Sequence, residues 1–147
     1  MEEMSQCISD RCFNYLQQIR TRMSKELSSI ENEHISWESI IRIYKDLRVD
    51  QFLGNHNPRT IAAGIFYLVY APVFVDVTLR GFAEIVESNE NTVKKNVNLI
   101  GEYLIKNNSY IPRDSVYYFP KLYVLGKKAE IEYYEKKQKL LIETLKK

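Results

Sequence analysis

The stretch "NENTVKKNVNLI", Asn89 to Ile100, holds the residues whose types and spacing best suit recognition chemistry. If it is a helix, Val93, Val97 and Ile100 take one face. The other then presents Asn91, Thr92, Lys94, Lys95 and Asn98. Asn can bond bidentately to adenine, and Lys reaches guanine or a phosphate. The first N–H groups of such a helix add donors for a phosphate. These are the side chains of a major-groove reader, although the same pattern also occurs on packed helices that never touch DNA.

The rest of the chain offers little catalytic chemistry. His34 and His56 both fall in expected turns, without a Cys or carboxylate spaced to make a nucleophile or metal partner. The glycines are scattered singly, so there is no phosphate-cradling loop. Cys7 and Cys12, five apart, cannot complete a zinc site. The expectation is a non-enzymatic protein without cofactor or metal. Sparse cysteines, no apolar run near 18 residues and no signal-peptide pattern at "MEEMSQCISD" predict a cytoplasmic protein without membrane contact.

Placing the Asn89–Ile100 stretch requires an element on either side. "TLRGFAEIVESNENTVKKNVNLI" reads as two helices and a polar corner, with Thr78 and Asn89 as N-caps. Ala83 is the small residue that a helix-turn-helix, expected over about 78–106, needs where its helices cross. Against the motif, Glu87 sits at the corner where Gly commonly supplies a left-handed residue. Glu84, Glu87 and Glu90 would repel phosphates locally.

Upstream, Ile8, Cys12, Tyr15, Leu16, Ile19, Met23, Leu27 and Ile30 recur at helical spacing, predicting one long helix from about Met4 to Glu33. "HIS" breaks it, Ser36 caps a second helix with Trp37, Ile40, Ile41, Tyr44 and Leu47 inward, and Gly54 ends that helix. Asn57 and Pro58 open a third, "RTIAAGIFYLVYA", apolar nearly all round and therefore central. "PVFVDV" is a connector or a short strand. "NNSYIPRDSVYYFPKLYVLG" is aromatic and β-prone, a hairpin turning at "PRDS" or an extended arm. The tyrosines Tyr117, Tyr118, Tyr123, Tyr133 and Tyr134 would pack this arm and the last helix onto the bundle, or offer stacking surfaces for bases. A charged helix from about Lys127 to Lys147 closes the chain; its seam of Ile131, Tyr134, Leu141 and Leu145 docks on its own domain or makes a homodimer.

The 147 residues suit one all-α domain of ordinary globular composition, with a formal net charge of only +2. Base is concentrated at the end, where eight Lys face four Glu from Lys121 onward.

"NPRTIAAGIFYLVYA" followed by "VTLRGFAEIVESNENTVKKNVNLIGEYL" resembles one cyclin-type repeat of the transcription factor IIB family, particularly its archaeal members. The resemblance covers about Ser36 to Asn107 and rests on the Pro-opened helix with Ala62, Ala63 and Tyr67, then Thr78, Ala83 and Thr92–Val93. It implies a cyclin-like five-helix domain, placed over 1–109, to which the aromatic arm and charged helix over 110–147 are added. It also implies double-stranded DNA as partner, in a nucleoid-associated setting, and docking with other transcription machinery. By position the DNA-facing residues are Asn91, Thr92, Lys94, Lys95 and Asn98, with Arg59 and Arg80 as phosphate contacts. The chain departs from the family in lacking its zinc ribbon and in having one repeat where the general factor has two, so the resemblance points to a regulator or accessory factor. Two other readings use the same residues: a dimeric winged-helix regulator with Arg113 at the wing tip, and a cyclin-like adaptor that binds protein only.

Overall fold

The structure, a computed structural model, describes residues 2–49, 52, 56–74 and 76–146 and, among these, the side chains of all but 2–10 and 49. The described residues form helices and turns, with no strand among them. In chain order the helices are α1 (Glu2–Arg22), α2 (Ser24–Leu27), α3 (Glu33–Val49), α4 (Pro58–Tyr70), α5 (Leu79–Ile85), α6 (Glu90–Lys106), α7 (Ser115–Tyr118) and α8 (Pro120–Leu145).

α4 is the axis of the fold because, from Ile61 onward, it carries no charged side chain. Ile61 through Phe66 and Leu68 through Tyr70 are all buried, and α1, α3 and α6 pack around it. Its start follows from local chemistry. The Asn57 side chain accepts from the Arg59 N–H at 2.9 Å, and Pro58 takes a position whose N–H would be unbonded anyway. Gly64 is where α6 comes closest: a Cβ there would stand 2.8 Å from Ile100 and 3.0 Å from Asn96. Below it, Phe66, Tyr67, Tyr70, Phe74 and Phe82 stack and tilt against one another, filling the space between α4 and α5.

The inward stripe of the first helix continues to Leu27, but the helix pauses at Met23 and ends in a turn where Asn32 takes a positive φ of 61°. The next helix starts at Glu33 rather than at Ser36, so His34, Ile35 and Ser36 are helical and break nothing. The reason is tertiary. The Arg20 guanidinium donates twice to the Glu33 carboxylate, at 3.1 and 2.9 Å, and the Tyr70 hydroxyl donates to it at 2.8 Å. Arg20 also lies over the Trp37 ring. Burial alone would raise the Glu33 pKa, but these hydrogen bonds and the Arg20 charge outweigh it and hold the carboxyl below its usual value. Along α3, Ile43 belongs to the buried face together with Ile40, Tyr44 and Leu47, whereas Ile41 is only half-buried. The expected stop at Gly54 lies outside the described residues.

The "PVFVDV" connector opens with a short 3-10 turn, Ala71–Val73. The arm likewise holds no strand. At "PRDS" the chain turns into α7, and Pro120 opens α8 seven residues ahead of the expected Lys127. A hairpin wing with Arg113 at its tip is therefore not formed. What fastens the arm is Ser115, fully buried with its hydroxyl donating to the Leu68 carbonyl at 2.7 Å, together with buried Phe119 and Leu122. The five tyrosines expected to pack it down are all more than half exposed. Among the described residues no helix is long and apolar enough to cross a membrane.

Candidate nucleic-acid interface

α5 and α6 are both started by their own side chains. The Thr78 hydroxyl accepts from the Gly81 N–H at 3.0 Å, and the Asn89 side-chain Oδ1 accepts from the Thr92 N–H at 2.8 Å. Between them the chain must reverse within four residues. It does so by a left-handed residue: Glu87 has φ 57°, which lets the Ser88 N–H reach back to the Ala83 carbonyl at 2.8 Å. A non-glycine residue in that conformation costs about 1 kcal/mol.

That cost is offset by a clamp. Glu87 Oε2 accepts from Arg59 Nη2 at 2.7 Å, and Arg22 Nη1 lies 3.8 Å from Oε1. The same two guanidinium groups donate to the carbonyls that end α5, Arg59 to Val86 at 3.3 Å and Arg22 to Ile85 at 3.2 Å. Positive charge at a helix C-terminus satisfies orphan carbonyls and opposes the negative end of the dipole. Each contact is half-exposed and worth about 1 kcal/mol or less on its own. Together they join the ends of α1, the start of α4 and the corner, fixing the direction in which α6 leaves. Arg59, expected as a phosphate contact, is thus committed to the corner. Glu87, expected as a repulsive charge, is paired.

α6 anchors Val93, Val97, Ile100 and Leu104 in the core. Asn96 turns inward along α4 and donates from Nδ2 to the Thr92 carbonyl at 2.8 Å. Outward, Asn91, Lys94 and Lys95 are exposed, while Thr92 and Asn98 are half-buried. Neither Lys94 nor Lys95 forms an ion pair among the described residues. Arg80 is the most exposed of the expected arginines, with only a loose 3.8 Å approach to Glu84.

The second half of the helix is closed off by α8. Lys121 pairs with Glu102 at 2.8 Å, and Leu122 sits where Gly101 has no side chain. Any reading face is confined to the first turns of α6, which is where Asn91, Lys94 and Lys95 stand. The structure brings these three together with Thr92 and Asn98 on one helix, and leaves Arg80 on α5 as a neighbour across the corner. Arg22 was not foreseen, because its link to the corner spans 63 residues of sequence and no local pattern carries it.

Burial pushes the Cys12 thiol up to about 12, so it packs as a small apolar group. His56 packs tilted against Phe52 with ring centroids 4.3 Å apart. Among the described residues no cluster of His, Cys, Asp and Glu is arranged to hold a metal ion. In comparisons with protein-family models, curated proteins and solved structures, the chain has no match.

Proposed function

We propose that this chain is a non-catalytic DNA-binding transcription factor or regulator that lays the N-terminal half of α6 in the major groove. The observation carrying this reading is the pairing of charges around the corner. The acidic residue of the turn is paired with Arg59 and Arg22, while Lys94 and Lys95, beside Asn91, have no carboxylate partner among the described residues. Lysines left unpaired on a rigidly aimed helix are available to phosphates or to guanine, and Asn91 to adenine. The central apolar α4 carrying Ala62 and Ala63, and the capped α5–α6 pair, suit a cyclin-like repeat of the transcription factor IIB type. On that reading the partners are double-stranded DNA and other transcription machinery.

Binding of fluorescent duplex DNA across a salt series tests the proposal. Lys94→Ala with Lys95→Ala should weaken binding and lower the salt slope by about two, roughly one per lost phosphate contact. Equal affinity and slope in the double variant would refute the assignment of α6. A protein-only adaptor is the second reading, favoured by the uncovered aromatic and aliphatic side chains of α8. It predicts no duplex binding even at low salt.

A further inference from the structure

The distal part of α8 carries a recognition pattern of its own, which does not depend on α6 touching DNA. The face that α8 turns to the body is Leu122, Leu125, Gly126 and Ala129, buried or half-buried. The opposite face runs Val124, Lys127, Ile131, Tyr134, Gln138 and Leu141, the alternating three- and four-residue spacing of a coiled-coil seam. Its apolar members are uncovered: Val124 is 64% exposed, Ile131 56%, Tyr134 55% and Leu141 57%. Beyond Ala129 the described residues of α8 are exposed on every side.

We infer that this seam is the contact between two copies of the chain, whose α8 helices lie antiparallel about a two-fold axis passing between Glu132 and Tyr133. The charges select both the occupant and the register. Around that axis Val124 meets the second copy's Leu141, Lys127 meets its Gln138, and Ile131 meets its Tyr134. The polar layer, which the two-fold axis repeats, then joins an ammonium to an amide oxygen. Flanking the seam on one side, Lys128 meets the second copy's Glu135. On the other side, Glu130 meets its Lys137. Each pair occurs twice by symmetry.

Competing arrangements of the same seam are penalised by the same charges. Shifting the antiparallel register by one heptad sets Glu135 against its own copy and Lys137 against its own, or else Lys128 and Glu130 against theirs. A parallel, in-register pair sets Glu130 beside Glu135 twice. Like charges so placed disfavour the wrong pairing. Because the body sits on the far face of α8, both domains lie outside the helix pair. At 1.5 Å per residue, the 124–141 overlap is about 27 Å long.

Sedimentation equilibrium of the full chain over a range of concentrations tests this. The wild type, 17.4 kDa as a monomer, should show a reversible doubling of mass. Glu135→Lys should raise the dissociation constant by about tenfold, since two attractions become two repulsions. Adding Lys128→Glu to it should restore dimerisation by exchanging the two charges. All substituted residues are exposed, so folding is not at stake. A wild type that stays monomeric overturns the inference. So does Glu135→Lys tightening the dimer, which is the signature of the parallel pair, or a double variant that fails to recover.

Discussion

The α5–α6 corner and the distal half of α8 are both rich in charge, yet they are built on opposite terms. At the corner, each polar group that the turn creates has an answer within the chain: Asn89 caps α6, Ala83 receives the returning N–H, and Arg59 and Arg22 take Glu87. Lys94, Lys95 and Asn91 face outward on the first turns of α6. On α8 the polar groups need no answer, and it is the apolar ones, Ile131, Tyr134 and Leu141, that remain uncovered. A satisfied, rigid element with a few free cations suits a stiff polyanion that must be met in fixed geometry. An apolar seam flanked by alternating charge suits another helix. The comparison assigns different partners to the two regions, and it is open to attack at several points.

The largest effect is expected where the two regions join. Leu122 is fully buried against Gly101, so Leu122→Ala should cost about 2–5 kcal/mol in chemical denaturation and loosen the root of α8. A change below about 1 kcal/mol would mean that α8 is not seated on α6. The corner itself is probed more gently. Glu87→Gly and Glu87→Ala both release Arg59, but only glycine relieves the left-handed backbone. The Gly variant should therefore be the more stable of the two by about 1 kcal/mol. Equal stabilities would contradict the turn. The smallest effect on folding belongs to Leu141→Ala. On the exposed seam it should change monomer stability by no more than about 0.5 kcal/mol, in contrast to the same truncation at Leu122. Its dimer, by contrast, should weaken measurably in sedimentation.

How much of this was legible in the sequence depended on how far apart the interacting residues lie. Asn57, Thr78 and Asn89 cap their helices as read, because a cap is completed within three residues. The stripe Val93, Val97, Ile100 and Leu104 and the buried α4 are likewise local signals, whereas Glu87, which counted against the corner, takes the left-handed conformation itself. Readings failed where a distant partner decided. Glu33 opens α3 because Arg20 and Tyr70 reach it, and the expectation of a break at His34–Ser36 had no access to that pair. β-prone residues from Tyr110 to Tyr118 suggested a hairpin, but Ser115 finds the Leu68 carbonyl and Leu122 finds Gly101, which makes a helical arm the better packed choice. The Pro at the start of α8 was a local sign of its true beginning, masked by Gly126 and the aromatic run. For the candidate site, periodicity alone showed exposed Asn91, Lys94 and Lys95 but did not separate them from half-buried Thr92 and Asn98. The clamp that aims them, Arg22 and Arg59 on Glu87, was not legible.

The most direct test follows fluorescent duplex DNA and protein mass together in one sedimentation-velocity experiment at low and high salt. Wild type, Lys94→Ala/Lys95→Ala and Glu135→Lys are run in parallel. If the two regions serve different partners, the lysine variant keeps its self-association and loses salt-dependent binding of the duplex. Glu135→Lys does the reverse at the level of a single protomer, binding DNA as a monomer. A lysine variant that carries the duplex as well as the wild type does, with the same dependence on salt, would contradict the account.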